Sequence, residues 1–212
     1  GLGDVYKRQT LVNEDATPIK RKNLFLNYHT KLKYETLNKR YFPTKGLKTN
    51  ISYTIHTDLH TNTAYSSLAT QITKIFPIAL NTFIIPTIYG RFIFNDGIPF
   101  MYSNVIGGEG YNPHYEQQIP FSGLPHTEST LKLLGNARIQ IRHKFHGKQY
   151  LTLSGNYAIH QNQFSNFLQG KKIYGTSIGY GYDSPLGPIE GFICYSNRTN
   201  KLGFYLNIGF GF

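Results

Sequence analysis

From residue 24 to the end of the chain, large apolar side chains fall on alternate positions in one segment after another. Leu24, Leu26, Tyr28, Leu32 and Tyr34 lie on one face, and Asn27, His29, Lys31, Lys33 and Glu35 lie on the other. Leu47, Thr49, Ile51, Tyr53 and Ile55 then alternate with Lys48, Asn50, Ser52, Thr54 and His56. A period of two is that of a β-strand, whose successive side chains leave opposite faces of a sheet. A weaker strand is expected over 64–76, a short turn over 77–81, and a further strand over 83–94. Pro86 in the middle of that last segment argues for a bulge or a local break, because proline removes a ladder donor.

A second group of strands follows residue 130. Ala137, Ile139 and Ile141 oppose Asn136, Arg138, Gln140 and Arg142, and Leu151, Leu153, Tyr157 and Ile159 oppose Thr152, Ser154, Asn156 and His160. Tyr174, Thr176, Ile178, Tyr180 and Tyr182 alternate with Gly175, Ser177, Gly179 and Gly181, ahead of a final pair of strands. In the last of these, over 202–212, Leu202, Phe204, Leu206, Ile208, Phe210 and Phe212 alternate with Gly203, Tyr205, Asn207, Gly209 and Gly211. The two groups are separated by 95–130, where Gly107, Gly108, Gly110, Pro113, Pro120, Gly123 and Pro125 break the alternation. A connection this long inside a β fold is functional or disordered.

Alternation running to the last residue leaves a soluble protein with a flat apolar edge that invites aggregation, whereas a closed membrane barrel has no edge. In such a barrel the polar set faces the lumen, since Lys or Arg on the lipid face near mid-bilayer costs roughly 2–4 kcal/mol. Lys31, Lys48, Arg138 and Arg142 are therefore expected to point into the lumen. Tyr41, Phe42, Phe145, Tyr150 and Tyr182, near strand ends, are candidates for an interfacial aromatic girdle.

The order of motifs adds a resemblance. Ser184-Pro185-Leu186-Gly187-Pro188, a strand, a short polar loop and Phe204-x-x-Asn207-Ile208-Gly209 ending on Phe212 resemble the C-terminal end of the BamA superfamily of outer-membrane barrels. The turn Tyr41-Phe42-Pro43-Thr44-Lys45-Gly46 resembles one that recurs on the periplasmic side of those barrels. The resemblance implies an all-β fold, an antiparallel transmembrane β-barrel present in part. About nine strands of sixteen are expected, four before the long loop and five after it, with that loop folded inward. It also implies that Phe204, Leu206, Ile208, Gly209, Phe210 and Phe212 form the barrel-insertion signal, in a strand that closes the barrel.

Within the long loop, the run from Tyr115 to Phe121 resembles the sixth loop of barrels attached to patatin-like phospholipases in Bacteroidetes-type bacteria. The loop motif comprises Gly107, Gly108, His114, Tyr115, Gln117, Gln118, Pro120 and Phe121. In the superfamily an arginine of this loop contacts the inner wall. Here Pro113-His114-Tyr115 stands where a Gly-Arg-Tyr-like run is expected, and a neutral histidine has no guanidinium fork.

The implied function is a membrane anchor or translocation barrel for an upstream patatin-like phospholipase domain missing from this chain. The alternatives are the barrel of an outer-membrane protein assembly or translocation factor, and a soluble secreted β-sandwich binding module. The implied location is the Gram-negative outer membrane with the C-terminus on the periplasmic side. Outer-membrane lipids, the barrel-assembly machinery and the upstream domain of the same protein are the implied partners.

Composition agrees with strands rather than helices crossing the membrane. The 212 residues include 21 Gly, 17 Tyr and 15 Phe, and mean hydropathy is only −0.35. No apolar run approaches the roughly 18 residues of a transmembrane helix, while a transmembrane strand needs about 9–11 with one apolar face. Cys194 is the single cysteine, which excludes an intrachain disulfide and a multi-cysteine zinc site. The net charge of +11 is scattered over alternate positions and turns rather than gathered on a helix, so nucleic acid is not an expected partner. A basic lumen, or a loop facing anionic headgroups, accounts for it.

Residues 1–9 contain Asp4-Val5-Tyr6-Lys7-Arg8-Gln9, which resembles a translated sequencing-adaptor end and is set aside as an artefact. The barrel portion is then 10–212, read as the C-terminal part of something longer. A serine hydrolase of the patatin type needs a GxSxG elbow and an aspartate motif, and neither is present; Asp96-Gly97 alone does not supply one. His56, Asp58 and His60 share a predicted face without the further ligands of a metal site. No catalytic residue, cofactor or metal is assigned to this chain.

Overall fold

The computed structural model describes residues 24–59, 61–95, 98–99, 102–109, 117–125 and 127–209. The adaptor-like stretch, the leading loop expected over 10–22, His60, Asp96, Gly97, His114, Tyr115, Phe210 and Phe212 lie outside these residues.

The alternating segments form one antiparallel sheet of nine strands that is not closed on itself. Its members are β1 (Phe25–Glu35), β2 (Gly46–Asp58), β3 (Thr63–Ala79) and β4 (Thr82–Ile93), then β8 (Leu133–His146), β9 (Gln149–Gln161), β10 (Lys171–Ser184), β11 (Gly187–Ser196) and β12 (Leu202–Ile208). Strands neighbour one another in chain order, and β4 pairs with β8 across the long loop. The loop holds a three-stranded sheet of its own. In it β5 (Asn104–Ile106) runs parallel to β6 (Gln118–Ile119) and antiparallel to β7 (Glu128–Thr130). A 3-10 turn, Phe167–Gln169, lies between β9 and β10.

The connections sort by end. Residues 80–81, 147–148 and 185–186 are two-residue turns, and 36–45 lies at the same end of the sheet. Asn81 at φ +67° and Gly147 at φ +50° supply the left-handed backbone that two-residue hairpins favour. The other end carries 94–132, 162–170 and 197–201, none of them a two-residue turn.

Register makes the polarity legible. One row across seven strands reads Phe76, Ile84, Ile141, Leu153, Ile178, Ile193 and Phe204, each directly opposite the next. Every member is apolar, and most are half exposed: Leu153 is 52% and Ile193 54% exposed. The opposite, inner face buries Asn136, Arg138, Arg142, Thr152, Ser154, Asn156, Ser177 and Glu190. A protein in water does the reverse. A single sheet with its apolar face outward is also not a sandwich, which buries the apolar faces of two sheets against each other.

Three local expectations change. Pro86 sits within an unbroken β4, opposite Ile139 of β8. The ladder lapses only on the β3 side, between the Thr73–Thr87 and Phe76–Ile84 pairs, so the missing donor costs pairing without shifting the register. The segment expected as a turn at 77–81 is mostly strand, with a register shift between Pro77 and Ala79 and a turn of only 80–81. Phe42 and Tyr150 are not girdle residues: they are 1% and 2% exposed and stack on each other at 4.2 Å. The 36–45 connection folds over the inner face, so the sheet curves enough to bring β2's entry to β9. Phe145 and Tyr182 remain exposed on the outward register.

Candidate functional site

The site is the loop that carries β5, β6 and β7 and the inner wall that receives it. Gly107 at φ +134° and Gly108 at φ +72° turn the chain at the end of β5, in backbone conformations that favour glycine. Their amides and carbonyls tie the loop to itself: Gly107 N–H donates to Ile119 O at 3.0 Å, and Phe121 N–H donates to Gly108 O at 2.9 Å. Gln118 Nε2 adds a bond to Gly107 O at 3.0 Å. The turn delivers Glu109 to the wall.

Glu109 is the centre of the contact. Its side chain is 1% exposed, and Oε2 meets Arg138 Nη2 of β8 at 2.5 Å. Oε1 accepts from Ser177 Oγ of β10 at 3.0 Å and from Ser122 Oγ of the loop. Asn156 Nδ2 of β9 holds that Ser122 hydroxyl at 2.7 Å, and Asn207 Nδ2 of β12 donates to the Glu109 carbonyl at 2.9 Å. Three wall strands thus meet Glu109 itself, and a fourth, β9, reaches it through Ser122. A buried carboxylate is tolerated only with such pairing, since an isolated buried charge is strongly unfavourable.

Close approach makes this possible. A Cβ at Gly175 of β10 would collide with Ser122 O, and one at Gly123 would enter the backbone of Tyr195 and Ser196. Tyr205 Oη donates to Leu124 O, and Thr199 Oγ1 donates to Gly123 O at 3.0 Å. A second polar contact holds the other side of the loop. Arg91 Nη1 of β4 donates to Asn104 Oδ1 at 2.8 Å and Nη2 to Ser67 Oγ at 3.2 Å. Asn104 Nδ2 in turn bonds Leu131 O and Lys132 O at 2.8 and 2.9 Å. Between the two contacts lies an apolar cluster in which loop residues Ile106, Ile119, Phe121 and Leu124 meet wall residues Tyr89, Leu134, Ala158 and Ile173. Tyr102 stacks on His56 at 3.8 Å; burial raises its hydroxyl above the usual phenol range, and the hydrogen bond with Asn27 opposes this.

The residues singled out by sequence fall as follows. Arg138 joins Glu109, while Arg142 lies over the Phe42 ring, 5.3 Å from its centroid, and donates to Thr152 Oγ1 at 3.3 Å. Lys48 lines a cavity of about 250 Å3 between the 36–45 connection and the loop, shared with Glu109, Arg142 and Glu190. Lys31 lines a separate polar cleft with His29, Asn50 and Gln71. Gln117 lines that same cleft, Pro120 follows β6 and faces the 250 Å3 cavity, and Phe121 is fully buried. Phe204, Leu206 and Ile208 point outward and are 68%, 57% and 70% exposed. Gly209, at φ +96°, donates to Pro188 O at 3.0 Å.

Sequence reasoning missed Glu109. It looked for a loop arginine, but the described loop supplies the carboxylate and the wall supplies the arginine. The available signal was an acidic residue inside Gly107-Gly108-Glu109-Gly110, in a chain with only 11 acidic residues against 22 basic. Leu134, Ala158 and Ile173 were a second signal, being apolar residues on an otherwise polar register.

An apolar outer face, a polar inner wall and a loop packed against that wall define part of a transmembrane β-barrel with an occupied interior. A family model described as the OMP85 superfamily matches residues 5–212, and the chain belongs to that superfamily. It is an outer-membrane barrel of the assembly and translocation type. No curated protein matches the chain.

Proposed function

We propose that this barrel serves as the membrane anchor of an upstream patatin-like phospholipase domain. The supporting observation is the fixation of the loop: Glu109 is bound by groups from β8, β10 and β12, and Arg91 holds Asn104 on the far side. A loop held to the wall on two sides suits a static anchor better than an open conduit. The run Gln117-Gln118-Ile119-Pro120-Phe121, which resembles the corresponding loop of patatin-linked barrels, forms β6 and seats Phe121 in the apolar cluster. The test is to read the gene upstream of the codon for Thr10 and to assay the product. A serine elbow followed by an aspartate motif, with ester hydrolysis lost on replacing that serine, supports the proposal. Repeated small αβ modules upstream would end it.

A further inference from the structure

The connection between β9 and β10 does not reach over the barrel interior. It folds down on the outer wall. Gly90 of β4 and Gly135 of β8 pair directly and share the outward register, leaving a trough without side chains. A Cβ on Gly135 would come within 3.1 Å of the Phe167 ring, so Phe167 lies over that trough. Phe92 contacts both Phe164 and Phe167, with ring centroids at 5.7 and 6.2 Å, and Phe94 meets Phe164 at 6.4 Å. Leu133 shares the outward register with Ala137 and Ile139, yet it is 1% exposed.

The segment is built rather than loose. Phe167 N–H donates to Phe164 O at 3.2 Å, Gln169 N–H to Asn166 O at 3.0 Å, and Gly170 N–H to Phe167 O at 3.0 Å. Gly170 is needed for the return, since a Cβ there would lie 2.6 Å from His160 O. Asn162 Oδ1 accepts from Lys132 N–H at 3.4 Å and fixes the start. This rigid flap exposes Phe164 at 59% and Leu168 at 76%, beside Phe94 at 50%. Exposed apolar side chains on a well-tied loop indicate a solvent other than water.

The flap is continuous with the lipid-facing rows of the sheet, and charge says what meets it. Lys172, at the start of β10 immediately after the flap, is exposed on the outward register of Tyr174 and Ile178, while Lys171, opposite His160, takes the inner register. Aromatic and aliphatic groups with a lysine at the rim are the arrangement that enters the boundary between acyl chains and headgroups. The flap also lies at the end of the sheet with the long connections, the outer side in barrels of this kind.

We propose that residues 162–172 form a binding site for a phosphate-bearing lipid of the outer leaflet. Phe164 and Leu168 enter the acyl boundary, and Lys172 meets the phosphate. The proposal rests on placement in the outer membrane and not on the anchoring role, so either can fail without the other.

The test uses the full-length protein, folded in detergent and confirmed by heat-dependent gel mobility. It is incubated with lipopolysaccharide or with the same lipid enzymatically dephosphorylated, and retained lipid is measured by native mass spectrometry. The expected result is about tenfold more retention of the phosphorylated lipid, abolished by the Lys172→Gln variant. Equal retention of both lipids by the unaltered protein would overturn the proposal. Should that variant fail to fold, Leu168→Cys carrying a fluorophore replaces it; Cys194, the chain's other thiol, is buried. Quenching by lipids spin-labelled near the headgroup in reconstituted membranes is expected. Quenching only by an aqueous agent would equally overturn it.

Discussion

Glu109 of the loop and Arg138 of the wall meet at 2.5 Å with both side chains buried, the acid on the loop and the base on the wall. Removing one member of a buried pair leaves the other charge uncompensated, typically at a cost of about 3–5 kcal/mol. Glu109→Ala and Arg138→Ala are each expected to lower stability by that amount and to expose the loop to protease in intact outer membranes. The exchange Glu109→Arg/Arg138→Glu should recover part of the loss. If the exchanged protein is no better than the single variants, the pair does not act as a unit.

Gly175 permits the loop to touch the wall. A methyl group there points at Ser122 O, so Gly175→Ala must push the loop away or distort β10. Overpacking of this kind costs about 1–3 kcal/mol. The expected phenotype is specific: folded barrel by gel mobility, but increased ion conductance in planar bilayers. Conductance equal to the unaltered protein would show that this contact does not hold the interior closed.

Phe42 stacks on Tyr150 with ring planes 1° apart while Arg142 lies over it, and Gly181 leaves the space beneath, where a Cβ would come within 2.8 Å. Phe42 holds φ +46°, an unusual backbone for a residue with a side chain, so the surroundings enforce it. Phe42→Ala should destabilise the barrel by about 3–5 kcal/mol. Denaturant unfolding from lipid vesicles measures this, and a loss below about 1 kcal/mol would place the ring outside the packed interior.

Leu153 lies in the apolar row between Ile141 and Ile178, where hydrocarbon is its solvent. Leu153→Arg is expected to cost about 2–4 kcal/mol and to reduce the assembled fraction in the membrane. A companion variant at the outward rim, Tyr174→Arg, should cost much less, since the penalty falls toward the interfaces. Similar effects at both positions would contradict the membrane placement.

The isolated chain presents β1 and β12 as open edges and an apolar outer face, so it is not expected to be stable in water. Sedimentation and thermal melting without detergent check this. A monomer with a cooperative melt would refute it.

The sequence by itself determined the nine strands of the wall sheet, their faces and the side of the sheet that meets lipid. Those follow from side-chain alternation, which is local: Leu151, Leu153 and Tyr157 against Thr152, Ser154 and Asn156 leave one choice of face once the solvent is hydrocarbon. It also set the four-and-five division of strands about the long loop. The tertiary structure alone decided what the loop does. Glu109 finds Arg138, Ser177 and Asn207 across 29, 68 and 98 positions of chain, and no local pattern encodes partners at such separations. The same holds for Phe42 and Tyr150, which alternation and position near strand ends assigned to a girdle. Their burial depends on the curvature of the whole sheet, which brings the connection before β2 against β9, and on the absence of a side chain at Gly181. Periodicity fixes which face a residue occupies; only packing fixes what it touches.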